Sequence, residues 1–241
     1  MSIAAPALVT AAPVVRRVCR LLVVMLLVVV PMTIAATEPT MVLVEDWSRQ
    51  AVGAIGVPDG WQRHDWGSPK YDFTVVADGP RWALHMRSEN DNSTISKEVR
   101  VAVKRFPILV WHWKVVTLPA KADSRHRETD DQAAQVYVTF PRFPERVRSR
   151  IIGYVWDTTA PAGTIVKSPS AGAVTYVVVR SGRADSGRWL TETRNVYDDY
   201  KQIYGEEPPE EIRLISLAID SNDTRSTAEA YAGEIFFRGR E

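Results

Sequence analysis

The residues of this sequence best suited to binding a polar ligand lie on or beside the apolar runs at residues 108–117, 135–140 and 189–194. They combine charges of both signs, planar hydrogen-bonding groups and an aromatic ring: His112, Lys114, Asp131, Gln135, Tyr137, Glu192 and Arg194. Groups of these types line grooves that bind sugars or organic acids, because they can fix the hydroxyl and carboxylate groups of a ligand. An ordinary solvated face is the alternative, since antiparallel sheets commonly present one polar face to water.

Alternation with a period of two divides each of these runs into two faces, as expected of half-buried strands. The inward positions are predicted from their large apolar side chains: Trp111, Trp113 and Val115 in the first run, and Val136, Val138 and Phe140 in the second. The polar residues then point outward, with Asp131 continuing the phase of the second run. They form one ligand-binding face only if all three strands lie in the same sheet.

A loop that follows another apolar run carries oxygen-bearing side chains at Asp220, Asn222 and Asp223. Closely spaced oxygens of this kind could bind Ca²⁺, although Ca²⁺ needs further ligands from elsewhere. The alternative is a simple turn, because these side chains readily bond their own backbone. By analogy with sandwich-type carbohydrate-binding modules, Asp46 and Glu234 near the two ends of the domain are a second potential calcium pair. Ca²⁺ is the only cofactor that the sequence suggests.

Signatures of catalysis are weaker than those of binding. The sequence contains no recognisable nucleophile elbow, phosphate loop, zinc-ligand spacing or dinucleotide fingerprint. Asp131 and Glu192 could form the carboxylate pair of a glycoside hydrolase, and His112, Tyr137 and Arg194 could serve a polysaccharide lyase. These sets rest on residue type alone, so the sequence favours a protein without catalytic activity.

The elements that must position these residues are almost all short strands. Period-two alternation recurs at residues 41–47, 73–77, 82–87, 95–103, 108–117, 135–140, 151–156, 174–180, 189–194, 212–219 and 229–237, with turn residues between them. Such spacing predicts an all-β fold, a single-domain antiparallel β-sandwich of jelly-roll type. One short helix is predicted from Val196, with Asn195 as its N-cap and Gly205 just past its last turn.

The first 36 residues have the pattern of a signal peptide. Arg16, Arg17 and Arg20 precede an apolar run at residues 21–30, and small residues follow up to Ala36. This predicts a signal peptide at 1–36, a mature domain at 37–241, and a periplasmic or secreted protein without a membrane partner after cleavage. An uncleaved anchor is the alternative. The mature chain keeps 27 of the 30 basic residues against 29 acidic ones, a net charge of −2, which gives no reason to expect nucleic acid.

Several segments, in this order, resemble the bacterial family catalogued as domain of unknown function 3047: WHWKVVTLPAKAD, DDQAAQVYVTF, ETRNVYDDYKQIYGEEPP and AYAGEIFF. The resemblance covers residues 44–237 and implies an exported, single-domain β protein with no established activity. We therefore predict an exported β-sandwich that binds a glycan or a similar polar ligand on one sheet face. A polysaccharide lyase or glycoside hydrolase on the same scaffold is one alternative, and a structural or interaction protein of the cell envelope is the other.

Overall fold

The computed structural model describes Met1 and residues 40–64 and 69–240. Pro39–Glu241 form one compact unit, separate from Met1–Glu38. The predicted signal peptide lies outside the described residues, apart from Met1. Within the described part of the chain, no helix has the length and apolar character needed to cross a membrane.

Strands dominate the fold. Thirteen of them form within the described residues: β1 (Met41–Glu45), β2 (Gln62–Arg63), β3 (Asp72–Asp78), β4 (Arg81–Glu89), β5 (Asn92–Ala102), β6 (Ile108–Thr117), β7 (Ala134–Phe140), β8 (Arg150–Asp157), β9 (Ile165–Lys167), β10 (Val174–Ser181), β11 (Leu190–Asn195), β12 (Glu211–Asp220) and β13 (Thr227–Arg238). Every alternating run of the sequence forms a strand. The very short β2 and β9 were not predicted, because two or three residues are too few to show a period.

The strands form two sheets. One is six-stranded, in the order β11-β6-β13-β4-β3, with β1 also paired to β13. The other is seven-stranded, in the order β2-β5-β12-β7-β8-β10-β9. All pairs among the described residues are antiparallel except β8 and β10, which run parallel because the connection between them crosses back before β10 begins. The prediction of an all-β sandwich is confirmed.

The core lies between the two sheets. Trp111 and Trp113 project from β6, with their ring centroids 5.3 Å apart. Trp111 stacks on Tyr154 of β8 at 5.3 Å, and Trp113 meets Trp156 of the same strand at 5.8 Å. All four side chains are buried. The inward phase predicted for β6 is therefore correct, and these indoles are a main contact between the sheets.

Helix α1 (Glu145–Arg148) is a single turn before β8, and helix α2 (Val196–Tyr204) closes one end of the sandwich. At the start of α2 the Asn195 side chain accepts a hydrogen bond from the Asp198 backbone N–H, and at its end Gly205 has the left-handed conformation, with φ of 69°. Both capping predictions are confirmed. Tyr200 anchors the helix to the core, with its ring centroid 4.7 Å from that of Phe140.

Candidate functional site

The two sheets divide the residues predicted to form one ligand face. His112 and Lys114 lie on β6 in the six-stranded sheet, whereas Gln135 and Tyr137 lie on β7 in the seven-stranded sheet. Consecutive strands often neighbour one another, but the connection between β6 and β7 crosses the sandwich. Their outward faces are on opposite sides of the molecule. The prediction of a shared face is therefore wrong.

Glu192 also lies on a different side from the one predicted. It pairs with Trp111 in the register of β11 and β6, so it projects toward the core side of the sheet. The indole Nε1 of Trp113 donates to its carboxylate at 3.1 Å, and the Arg180 guanidinium donates at 2.7 Å. A buried carboxylate needs such partners. Glu192 therefore helps to close the sandwich edge and cannot pair with Asp131 as predicted for a hydrolase.

Arg194 follows the same corrected phase. It pairs with Leu109 of β6 and donates two hydrogen bonds to Asp199 of α2, at 2.6 and 3.0 Å. Its guanidinium lies 5.7 Å from the ring of Tyr154. Because Arg194 faces inward while Tyr137 belongs to the other sheet, the proposed lyase set with His112 is not assembled.

The outer face of the six-stranded sheet keeps His112 and Lys114 and adds groups that the sequence did not reveal. We call it the Trp189 face and define it by six half-buried residues: Asp78, His85, His112, Lys114, Trp189 and Tyr231. Tyr231 pairs with His85 on one side and with Lys114 on the other, so three side chains form a row across β4, β13 and β6. Directly paired residues share a face.

Aromatic rings cover the middle of this face. The His85 and Tyr231 rings stack with centroids 4.3 Å apart and an interplanar angle of 14°. Trp189 meets Tyr231 edge-on at 6.3 Å. Gly233 allows the indole to lie close to β13, since a Cβ at this position would lie 3.2 Å from Trp189 and 3.0 Å from His112. The rings therefore form a continuous apolar surface beside the polar groups.

Asp78 links the charged and aromatic groups of the Trp189 face. It accepts hydrogen bonds from the Lys114 ammonium and, at 2.7 Å, from the Trp189 indole Nε1. These two bonds hold the pKa of Asp78 below its usual value, so the carboxylate is charged at neutral pH. The Lys114 ammonium also lies 4.0 Å from the centroid of Tyr231. The face is thus preorganised, with a fixed anion and a fixed cation beside the rings.

His112 occupies the edge of the Trp189 face. Its Nδ1 lies 2.8 Å from the Thr191 hydroxyl, and its Nε2 lies 3.8 Å from a Glu234 carboxylate oxygen. Burial, followed by the charge of Arg81, lowers the pKa of His112 below its usual value, against the opposing effect of Glu234. The ring is therefore neutral at pH 7 and can both donate and accept hydrogen bonds.

Gln135 and Tyr137 lie on the outer face of the seven-stranded sheet. Both point to the predicted side, but Gln135 is only 3% exposed and accepts a hydrogen bond from the Tyr137 hydroxyl. Tyr137 packs against an apolar cluster that includes Val155, Ala160 and Tyr176. Burial raises the pKa of Tyr137 well above its usual value. We conclude that Gln135 is a buried structural residue and that the half-buried Tyr137 is bonded to it.

Asp131 is fully buried and holds the loop after β12. Its carboxylate accepts hydrogen bonds from the backbone N–H groups of Asp223, at 3.0 Å, and Thr224, at 2.7 Å. The Thr224 hydroxyl donates a third hydrogen bond to the same carboxylate. These three bonds hold the Asp131 side chain against the loop. The predicted ligand-binding role of Asp131 has no exposed surface to act on.

The predicted calcium loop forms an Asx turn. The Asn222 backbone N–H donates to Asp220 at 3.3 Å, Asn92 donates to the other oxygen of Asp220 at 2.6 Å, and the Asn222 amide donates to Asp223 at 3.2 Å. Burial, followed by nearby Asp131, raises the pKa of Asp220 well above its usual value. The side-chain oxygens of Asp220 and Asp223 thus accept hydrogen bonds within the loop and from Asn92, as in the simple turn that the sequence offered as the alternative.

The second calcium proposal, at Asp46 and Glu234, requires the first and last strands to be neighbours. They are, because β1 pairs with β13. Asp46, however, accepts hydrogen bonds from the backbone and hydroxyl of Ser48 at 3.0 and 2.7 Å. In the described part of the chain, no group of three or more His, Cys, Asp or Glu side chains is arranged to hold one metal ion. The described residues therefore do not fit a calcium site.

Sequence reasoning missed four members of the Trp189 face. His85 and Tyr231 occupy outward positions of strands that were predicted correctly, and Tyr231 stands between Ala230 and Ala232, an alternation of large and small residues that could have marked it. Asp78 was predicted to belong to a turn and not to a strand, and the phase predicted for residues 189–194, with Glu192 and Arg194 outward, would turn Trp189 inward.

Several solved structures resemble this fold. A family 11 carbohydrate-binding module of the cellulosomal cellulase Lic26A-Cel5E of Clostridium thermocellum aligns with a TM-score of 0.45 and 8% identity, covering 85% of this chain and 97% of the module. A family 30 module of Cel9D-Cel44B from the same organism aligns with a TM-score of 0.41 and 9% identity, covering 83% of this chain and 98% of the module. The xyloglucanase domain of NopAA from Sinorhizobium fredii aligns with a TM-score of 0.41 and 9% identity, covering 81% of this chain and 100% of that domain. Similarity at this level is no evidence of a shared ligand.

In sequence, no curated protein matches this chain. A family model does match, over residues 59–236, which include strands β2 to β12, most of β13 and helix α2. The resemblance noted from WHWKVVTLPAKAD and the later segments is therefore confirmed. The chain belongs to the family described as protein of unknown function DUF3047.

Proposed function

We propose that this protein is an exported, non-catalytic glycan-binding protein whose ligand lies on the Trp189 face. One observation carries the proposal: half-buried Trp189 and Tyr231 rings lie next to a fixed Asp78–Lys114 ion pair on the outer face of the six-stranded sheet. Sugar rings have an apolar C–H surface and a rim of hydroxyl groups. An aromatic surface flanked by planar donors and acceptors is complementary to both.

The polar groups of the Trp189 face can both donate hydrogen bonds to sugar hydroxyls and accept hydrogen bonds from them. The Asp78 carboxylate accepts, the Lys114 ammonium donates, and neutral His112 does either. Their existing contacts with one another hold them in place, so little side-chain entropy is lost when a ligand binds. Because Asp78 neutralises Lys114, the centre of the face favours a neutral oligosaccharide, while the Arg81 guanidinium, 5.6 Å from the centroid of the Trp189 ring, adds a positive charge beside it.

The test is calorimetric titration of the mature domain with neutral oligosaccharides of glucose, galactose and xylose. We expect Trp189→Ala to weaken binding at least about tenfold, equivalent to about 1.4 kcal/mol. The matched control is Trp82→Ala, because Trp82 is also exposed (42%) but its phase on β4 is opposite to that of His85. If no oligosaccharide binds, or if the two variants weaken binding equally, the proposal is wrong.

A further inference from the structure

A second potential site lies on a different part of the molecule from the Trp189 face. An open cleft with a volume of about 690 Å³ separates the end of α2 from the β8–β10–β9 edge of the seven-stranded sheet. This volume lies within the range typical of small-molecule sites. Residues of α1, at its other wall, complete the lining. The cleft is formed by the seven-stranded sheet, the two helices and the residues that flank them.

The charge of the cleft is one-sided. Its lining includes Arg148, Arg150 and Lys167 and no acidic side chain. Arg150 is held in place by an ion pair with Glu206 and lies 4.3 Å above the ring of Tyr204. Within the described part of the chain, Arg148 and Lys167 are exposed and have no carboxylate at ion-pair distance. Two cations are therefore available to a ligand.

Strand register fixes the distance between two of the three cations, Arg150 and Lys167. Thr175 of β10 pairs with Ile152 of β8 on one side and with Lys167 of β9 on the other, and Arg150 lies two residues before Ile152. With strands about 4.8 Å apart and a rise of about 3.3 Å per residue, the Cα atoms of Arg150 and Lys167 are about 12 Å apart. All four residues project to the same side of the sheet, where α2 lies. The positive charge is thus spread along the cleft.

The remaining lining suits an organic molecule. Thr175, Gln202 and the Tyr204 hydroxyl are neutral hydrogen-bonding groups between the cations, and Val147, which is 81% exposed, gives an apolar wall. Tyr204 is positioned by hydrogen bonds to the Ile151 carbonyl, at 3.3 Å, and to Thr175, at 3.4 Å. A compact inorganic ion would contact only one end of this arrangement.

From this geometry we propose that the cleft binds an extended organic anion with at least two separated carboxylate, sulfate or phosphate groups. Arg148 and Lys167 each bind one anionic group, and Arg150, held by Glu206 and Tyr204, provides a rigid positive wall between them. This site is independent of the Trp189 face, because the two lie on different sheets.

The test is titration of the mature domain at low ionic strength with trigalacturonate, tripolyphosphate, inorganic phosphate and neutral maltotriose. We expect one or both extended anions to bind more tightly than inorganic phosphate, and maltotriose not to bind in the cleft. Whichever extended anion binds more tightly identifies carboxylate or phosphate as the preferred group. Arg148→Ala and Lys167→Ala should each weaken binding about fivefold, because each removes one charge-assisted contact at a partly exposed site.

Two control variants distinguish binding in the cleft from a general attraction of anions to the protein surface. Arg183→Ala removes an exposed arginine from the loop between β10 and β11, away from the lining, and should change affinity little. Trp189→Ala should leave anion binding unchanged even if it abolishes glycan binding. The proposal is overturned if neither extended anion binds, if inorganic phosphate binds as tightly, or if Arg183→Ala weakens binding as much as Arg148→Ala.

Discussion

Asp130 provides the sharpest test of the electrostatics of the buried polar groups beside the seven-stranded sheet. It is 3% exposed and accepts hydrogen bonds from Gln132 at 2.9 Å and from the Ser168 hydroxyl at 3.2 Å. Burial is the largest cause that raises its pKa from 3.8 to about 6, and the charge of Asp223 adds to it. The native state therefore holds a carboxylate that opposes folding when it ionises.

The sign and size of this effect follow from linkage between protonation and folding. Below pH 3.8 the Asp130 carboxyl is protonated in both the folded and the unfolded protein, so it does not change the free energy of unfolding. From pH 3.8 to about 6 the free energy of unfolding falls as the pH rises, because the carboxyl ionises more readily in the unfolded protein. Above pH 6 this loss of stability stays at its full value. A difference of about two pKa units corresponds to about 3 kcal/mol. Asp130→Asn removes this cost but loses the hydrogen bond from Ser168, worth about 1 kcal/mol. We expect a net gain of about 2 kcal/mol at pH 7.5.

Urea denaturation followed by tryptophan fluorescence at pH 7.5 and pH 4.0 measures this gain. The Asn variant should be more stable at pH 7.5, and the gain should be lost at pH 4.0, where Asp130 is largely protonated when folded. Asp59→Asn is a matched control, because Asp59 lies in an exposed turn. Equal stability of Asp130→Asn and the parent at pH 7.5, or an equal gain at both pH values, would refute the reasoning.

Four further predictions concern the core, the sandwich edge, the metal and the N-terminus. Trp113→Ala should lower the free energy of unfolding by about 3–5 kcal/mol, because it removes a fully buried indole, and an unchanged denaturant midpoint would contradict the core assignment. Arg194→Ala should cost about 3 kcal/mol in the same assay, because it leaves the nearly buried Asp199 without its cation, whereas an outward arginine would cost almost nothing. Melting in excess Ca²⁺ and in chelator should give equal midpoints, and a higher midpoint with Ca²⁺ would reveal a site. The protein recovered from the envelope fraction should have its N-terminus near Ala36 or Thr37, as read by N-terminal sequencing; recovery of intact Met1 would count against a cleaved signal peptide.

Local physical chemistry explains why much of the fold could be predicted. The inward phase of β6 follows from alternating indoles, which only a buried strand face accommodates at Trp111 and Trp113. The helix boundaries follow from Asn195 and Gly205, whose capping roles depend on neighbouring residues alone. Strand phase and helix caps depend on residues that are close together in the sequence, so they can be predicted from it.

Sheet membership is not determined locally, and the errors in the site follow from this. Nothing in residues 118–133 shows that the chain crosses from one sheet to the other, so the sequence alone favours β6 and β7 as neighbours. The predicted phase of β11 is wrong because Glu192 and Arg194 are charged, and charge suggests solvent. Glu192 and Arg194 can point inward because each forms an ion pair there, with Arg180 on β10 and Asp199 on α2 respectively. The residues of β11 alone do not show which partners other elements provide.

The Trp189 face shows how little additional information the sequence would have needed. Once β13 is placed between β4 and β6, the register puts Tyr231 opposite both His85 and Lys114. Each of these positions already had an outward phase by alternation alone. Strand order, and not residue type, therefore brings these separate outward residues together on one surface.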